Sequence, residues 1–443
     1  MRCRAFILTA GHVTRRYLLG CAGVVCAVLL LTTPAPASSS GQRLWVSTYR
    51  PASGGASFSD VAEAAGGAAY VAGSKHVDQS TALVLLKYDG DGRRTWAHAF
   101  RGDYRLTVGR AVGLDARGNV YVGGDVSWRN GEGGILLVKY APDGTLKWSR
   151  TWNPMHGTAE WNRDILASMA VDGAGNVYLA GGSSIGWSDE SDGIAIPGLV
   201  LAKYDARGKR LWTVRYRDAS DPTVLGTIPE DLALDGEGNV YLACAGSFFR
   251  DFNGTQSTAL TLKFSGADGS LLASAVYADS SRDIAARAVA VRGSTVAVCG
   301  EGFVIDYDLS LGQQYAAQSF STGADVALDA AGNTLVTGTK TLGFGRDGTL
   351  KWQQDIGGKW VRADDSGNSY VASSILAGSS AAGWTQSVLA TRYDGDGDPV
   401  WARSWPDEAG WVSPSCFTVG PDGVYIGGRT GRHGRAMLIK YAR

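Results

Sequence analysis

The 443-residue sequence is poor in methionine (4), histidine (5), cysteine (6) and proline (12), and its 42 basic residues equal its 42 acidic ones. A formal charge of zero argues against a nucleic-acid footprint, which needs a basic excess. Scarce methionine and the lack of long charged runs point away from helix bundles. His12, His76, His98, His156 and His433 show no His-x-His or His-Glu-x-x-His spacing. There is no Cys-x-x-Cys pair either, so zinc has no support in the pattern. The longest apolar run, Tyr17 to Leu31, falls below the roughly 20 residues that span a bilayer.

Glycine (61) and tryptophan (14) are abundant, and 44% of the residues are apolar against 19% charged. That is ample material for a core and excludes global disorder. At the N-terminus, Arg2, Arg4, Arg15 and Arg16 precede the apolar run, and Pro34-Ala35-Pro36-Ala37 follows it. A basic stretch, a short apolar stretch and an Ala-x-Ala site read as a secretory signal over residues 1–37. Thr14-Arg15-Arg16-Tyr17-Leu18-Leu19 resembles the twin-arginine export motif, which would export an already folded chain. Leu18-Leu19-Gly20-Cys21 is similar to a lipobox but stands at the start of the apolar run instead of after it. The expectation is an exported protein, periplasmic, cell-surface or extracellular, with no transmembrane segment after cleavage. Removing residues 1–37 leaves 38 basic and 42 acidic residues, a mild balance that does not point to a polyanionic partner.

Internal repeats dominate the rest. Gly118-Asn119-Val120-Tyr121-Val122 recurs at Gly175–Leu179 and Gly238–Leu242, with weaker copies at Gly332, Gly367 and Gly423 and degenerate ones at Gly67 and Gly293. A second element follows, read as Leu137-Val138-Lys139-Tyr140-Ala141-Pro142-Asp143-Gly144-Thr145-Leu146-Lys147-Trp148 in one copy. Its turn glycine precedes by four residues Trp96, Trp148, Trp212, Trp352 and Trp401, while Ala273 and Ala316 stand there in the fourth and fifth copies. Each copy thus holds four short segments with β-branched and aromatic content, bounded by Gly/Asp/Asn turns, which read as strands. Four strands per unit at this spacing predict an all-β fold, a single β-propeller. The count is eight four-stranded blades over residues 38–443, with seven as the alternative. The units fall at about 58–100, 108–152, 164–216, 230–277, 283–320, 323–357, 358–405, and 414–443 together with 41–50. The last unit lacks a final tryptophan strand, and Gly41 to Tyr49 supplies one, so the N-terminal strand is expected to complete the last blade.

Five residues before each repeat glycine stand Ala62, Gly113, Ala170, Ala233, Ala288, Ala327, Arg362 and Thr418; one residue earlier, seven of eight are apolar, Arg287 being the exception. A small face against a neighbour's large face fills the crowded axis without voids. The recurring Asp115, Asp172, Asp235, Asp329 and Asp364 read as turn chemistry, because Asp bonds its own downstream backbone. These motifs resemble the bacterial β-propeller repeat family called SBBP, with a GNVYV-like strand before a LVKYDxDGxxxW-like strand pair. The resemblance covers about residues 41–443. It implies an exported or surface-associated repeat protein, most often seven-bladed, without catalytic residues to carry over.

In such a wheel the first-to-second and third-to-fourth turns share one face and are short here. The other face receives every long insertion, including 124–134, 153–163, 181–198, 217–229, 246–258, 376–386 and 406–414. Long loops on a rigid scaffold are where binding usually lives. The candidate binding residues are Trp128, Trp161, Trp187, Phe249, Trp384, Trp411, Asp189 and Asp251, aromatics beside acids that suit a sugar ring or a protein partner. The alternative is that each tryptophan folds back to plug its own blade. Asp89–Gly92 and Asp394–Asp398 start like calcium loops, but Phe100 and Trp405 stand where a bidentate Glu is required, so an EF-hand is excluded and only a weak surface calcium site remains. No other cofactor and no metal site is expected. Cys244, Cys299 and Cys416 are expected as buried thiols. Lys87, Lys139, Lys203, Lys263, Arg392 and Lys440 recur near third-strand ends, a periodicity that makes them structural. The leading functional reading is a non-enzymatic binding or scaffold module for a protein or glycan. The alternatives are a quinoprotein-like or lyase-like propeller enzyme and a structural cell-surface protein.

Overall fold

A computed structural model describes residues 40–443 except 78–79, 154–163, 189–194, 217–223, 251–253, 280–283, 380–382, 407–410 and 432–433. Side chains of 183–188, 195–197, 224–225, 247–250, 254–257, 317–322, 376–379 and 383–384 also lie outside the description. The signal read over residues 1–37 lies outside it too.

The described residues form strands and turns, with no helix among them. Repeat one comprises Ala56–Ala64, Ala68–Val77, Ser80–Tyr88 and Arg94–Phe100; repeat two comprises Leu106–Leu114, Val120–Ser127, Gly133–Tyr140 and Leu146–Trp152. Repeat three follows with Asp164–Val171, Val177–Ser188, Ala195–Tyr204 and Arg210–Tyr216, and repeat four with Val224–Leu234, Val240–Arg250, Gly254–Phe264 and Leu271–Tyr277. Repeat five has Ala286–Arg292, Thr295–Asp308 and Gln313–Thr322; repeat six has Asp325–Leu328, Thr334–Thr337, Thr341–Phe344 and Leu350–Gln354. Repeat seven has Trp360–Ala363, Ser369–Ser379, Gly383–Tyr393 and Pro399–Pro406; repeat eight has Val412–Gly420, Gly423–Thr430 and Arg435–Tyr441. Onto that last strand Arg43–Tyr49 pairs antiparallel, with Val46 opposite Ile439.

These strands make seven sheets, five of them four-stranded. Repeats one and two join into one eight-stranded sheet through a single parallel bridge, Thr81 to Leu106. Repeat five counts three strands because Thr295–Asp308 occupies two places. Its first half pairs with Ala286–Arg292 and its second half with Gln313–Thr322, and it turns at Gly302, whose φ is 73°.

The second and third strands of repeat two are buried on both faces. Val120, Val122, Leu136 and Val138 are inaccessible, together with Tyr121 of the Gly-Asn-Val-Tyr motif. The core is divided into eight apolar clusters, each shared by two consecutive repeats. One of them packs Phe58, Val71 and Tyr88 of repeat one against Cys416, Tyr425 and Leu438 of repeat eight. Burying one such Val, Leu or Phe contributes about 1.5–3 kcal/mol.

The turn glycine four residues before tryptophan has two reasons to be glycine. Gly208 takes φ of 78°, which an L side chain resists. A Cβ there would also fall 2.9 Å from the Trp148 ring of the preceding repeat. The same seat recurs for Gly269 on Trp212, Gly397 on Trp352, Gly92 on Trp45 and Gly41 on Trp401. Polar groups fasten each junction. Trp148 Nε1 donates to Ala206 O at 3.4 Å, Trp212 Nε1 to Gly266 O at 3.2 Å and Trp45 Nε1 to Gly90 O at 2.9 Å.

Repeat five shows why the aromatic was misplaced in the sequence. Its positive-φ turn residue is Leu311, at 63°, and not Gly312. Counting four residues on gives Tyr315, whose ring seats Gly348 of repeat six. Where repeat four offers only Ala273, the space left by the missing indole is taken by Leu311, which is buried in a cluster that includes Ala273.

The periodic third-strand bases are structural. Lys87, Lys139, Lys203, Lys263 and Lys440 stand 4.7–5.2 Å from the ring centres of Tyr70, Tyr121, Tyr178, Tyr241 and Tyr425. Lys139, Lys203 and Lys263 also donate to turn carbonyls of the next repeat, at Ala206, Gly266 and Leu309. Asp115 behaves as turn chemistry requires, accepting from Arg117 N and Asn119 N through one oxygen and from Asn119 Nδ2 and Tyr121 Oη through the other. Cys244, Cys299 and Cys416 are buried free thiols, each held protonated by desolvation.

Candidate functional site

Two regions compete for function, the face that receives the long insertions and the axis where the first strands meet. The insertions are more ordered in backbone than the sequence suggested. In repeats three, four and seven the second and third strands run on as hairpin arms, pairing Trp187 with Ile196, Phe248 with Gln256 and Gly378 with Trp384. The ladder runs well past the glycines that suggest a loop, with an irregularity between Ser183 and Trp187 in repeat three. Repeats five and six lack such arms, since Gly302 and Gly338–Lys340 turn the chain at once.

The expected binding residues distribute unevenly. Trp128 is half-buried and packs edge-on against Tyr104, ring centres 5.7 Å apart, within the core shared by repeats one and two. It fills space under its own hairpin. Trp411 is different: it is 54% exposed, while its carbonyl accepts from Gly431 N at 3.0 Å. Trp161, Asp189 and Asp251 lie outside the described residues, as do the side chains of Trp187, Phe249 and Trp384.

The region where the first strands meet carries charge that the loop pattern does not reveal. A β-bulge interrupts the first strand at one equivalent place in repeats one, two, three, four, five and eight. Bulges re-aim side chains, and the extra residues include Arg110, Glu230, Arg287 and Ser415. Arg287 bonds Glu230 at 3.0 Å and Glu301 at 2.6 Å. Arg362 bonds Asp325 at 2.6 Å. Asp60 accepts from Val61 N and, across to repeat two, from Val112 N, both at 2.8 Å. Asp231 accepts from Leu232 N, Ser168 Oγ and Val289 N, joining repeats three, four and five. Burial outweighs these bonds and pushes Asp60 and Asp231 up to about 6. Glu230, Asp231, Arg287, Glu301, Lys359 and Arg362 help line a cavity of about 670 Å³. A second, of about 710 Å³, is floored by Gly357, Gly358, Ser373 and Ser374 and shares Ala324 and Lys359 with the first.

The signal for these residues was in the sequence as exceptions. Arg287 stands where seven repeats have an apolar residue, and Arg362 where most have Ala or Gly. Their partners had no periodic signature. Among the described residues no group of three or more His, Cys, Asp or Glu side chains is arranged to hold a metal ion. At the calcium-like turns, Asp89 and Asp394 accept from their own downstream amides.

No family model matches the chain, and no curated protein does. Solved structures are similar to it. Two crystal structures of Sqt1 from Chaetomium thermophilum share 12% and 13% identity, cover 91% of this chain and 99% and 98% of theirs, and superpose with a TM-score of 0.54. The Pan2 WD40 domain of Neurospora crassa shares 11% identity over 91% of this chain and 96% of its own, at a TM-score of 0.46. The likeness to the Sqt1 structures shows a β-propeller-like repeat fold.

Proposed function

We propose that the chain is an exported, closed eight-bladed propeller that binds a protein or glycan through the face bearing the hairpin arms, without chemistry of its own. Closure is supported by the junction series. The first strands of repeats eight and one touch as do those of the other neighbours. Gly41 sits on Trp401, and Trp45 in turn seats Gly92, so the N-terminal strand serves as the fourth strand of repeat eight on both sides. The export signal read over residues 1–37 and the resemblance of the motifs to SBBP repeats support an extracytoplasmic setting.

The single observation that carries the binding reading is Trp411. A large indole more than half exposed, beside a hairpin turn on a rigid frame, has little structural role and suits stacking on a ring or anchoring a partner. Asp60 and Asp231 do not suggest catalysis, because each accepts a backbone amide of the following repeat. The test is a glycan array and a pull-down with residues 38–443, repeated with Trp411→Ala. Partners lost on that substitution support the reading, and blank results in both assays refute it.

A further inference from the structure

Among the described residues the arm-bearing face gathers exposed arginines at repeats eight, one and two, although the chain as a whole carries no net charge. Arg429 and Arg435 stand at the hairpin of repeat eight, Arg50 on the link to repeat one, Arg101 and Arg105 on the link to repeat two, and Arg129 at the hairpin of repeat two. All six are exposed. Among the described residues none of them forms an ion pair. The described acids in the same connections are Asp103 and Glu132 alone. The glutamates across the axis, Glu230 and Glu301, are already bound by Arg287.

Backbone contacts make the six positions one continuous rim. Ala56 N donates to Gly434 O at 2.8 Å, tying the repeat-eight hairpin to repeat one. His76 N donates to Gly55 O at 2.8 Å, seating the first link on the repeat-one hairpin. Arg105 N donates to Ser127 O at 2.9 Å, and Tyr104 packs on Trp128, seating the second link on the repeat-two hairpin. At the repeat-eight end the exposed Trp411 abuts the turn after Arg429, its carbonyl accepting from Gly431 N and Thr430 Oγ.

We infer that this crescent of arginines, ending on Trp411, is a binding track for an acidic polysaccharide. The inference rests on the binding reading above and names its chemistry. Every cation in the set is a guanidinium, whose planar fork matches a carboxylate or sulfate. Trp411, exposed beside them, offers a face to a sugar ring. The groups lie along a line over three repeats instead of in a pocket, which fits an extended polymer meeting them in succession. An acidic protein would use the charges but has no need of the indole at the end.

The test uses residues 38–443 with polygalacturonate, neutral dextran and poly-L-glutamate as probes. Polygalacturonate should bind, dextran should not, and affinity should fall steeply between about 50 and about 500 mM NaCl as exposed charges are screened. Reversing three charges (Arg50→Glu, Arg105→Glu and Arg429→Glu) should weaken binding roughly thirtyfold or more. Trp411→Ala should weaken it several-fold and abolish the fluorescence change. Reversing Arg117 and Lys147 on the opposite face should change nothing. Equal binding by the triple variant overturns the track, and poly-L-glutamate matching polygalacturonate overturns the polysaccharide in favour of an acidic protein. If polygalacturonate fails while another partner is held and lost with Trp411→Ala, the track falls and the broader binding function stands.

Discussion

The junction between repeats four and five offers a double-mutant test of how adjacent repeats are clasped. Seven junctions seat a positive-φ glycine on an aromatic or histidine ring of the preceding repeat, whereas this one pairs Leu311, at φ 63°, with Ala273. The two exceptions are complementary: the side chain that glycine normally forgoes fills the volume the indole normally takes. Leu311→Gly relieves a left-handed conformation worth about 1–2 kcal/mol but forfeits about 2–3 kcal/mol of burial. Glycine adds a further ~0.5–1 kcal/mol of lost chain entropy. The net expectation is a loss of about 1–2 kcal/mol. Ala273→Trp alone drives an indole into the volume of Leu311 and costs about 1–3 kcal/mol by overpacking. The double variant rebuilds the clasp of the other junctions, so it should be at least as stable as either single variant, with a favourable coupling of about 2 kcal/mol or more. Urea denaturation followed by tryptophan fluorescence measures all four proteins. Additive losses, to within about 0.5 kcal/mol, would refute the claim that the two exceptions compensate each other.

Trp45→Ala removes a hydrogen bond to Gly90 O and ring contacts with Tyr88 and Tyr425; a loss of about 2–3 kcal/mol is expected for this half-buried ring, read as a lower urea midpoint, and an unchanged midpoint would count against closure by the N-terminal strand. Asp60 and Asp231 have carboxyls raised by burial to about 6, well above their unfolded values. The folded state therefore holds more protons than the unfolded one between about pH 4 and 6, so their contribution to stability declines as pH rises through that window. Thermal melts of Asp60→Asn should show a flatter decline there than the parent protein, and an identical profile would refute the assignment. Asp364 runs the other way: against the pull of burial, Arg443, Asn368 and Tyr370 hold it at about 2, so its stabilisation is lost as pH falls below about 4, and Asp364→Asn should blunt that loss.

The sequence made the periodic part of this molecule legible because each repeated position answers the same physical demand. Gly208 and Gly397 must tolerate positive φ and a close ring, Asp115 and Asp364 must satisfy a turn, and Lys139 and Lys203 must cover a tyrosine face and reach the next turn. Any requirement that recurs in every repeat leaves a recurring letter. Repeat five escaped in part because Leu311 meets the turn's demand without glycine, and counting from Gly312 shifted the frame by one residue. Glycine is common in the insertions and reads as loop. Yet a two-stranded ladder needs only alternation and backbone partners, and glycine at Gly181, Gly246 or Gly378 does not end it.

The functional part was legible only in negative. A site on an array of similar repeats has to break the pattern, since a residue that recurs in every copy serves the packing of repeats. Arg287 and Arg362 are such breaks, and both prove to join repeats at the axis, where their partners Glu230, Glu301 and Asp325 are supplied by neighbouring strands that no local spacing connects. The arginine rim is invisible for a different reason. Arg50, Arg105 and Arg429 are hundreds of residues apart or fall in connections that carry no motif, and whole-chain charge averages them against acids elsewhere. Closure of repeat eight by Arg43–Tyr49 supports placing Arg50 next to Arg429. The rim is then a property of the packed repeats and not of any one segment. Cutting the chain between repeats should then abolish polygalacturonate binding even though every arginine is still present.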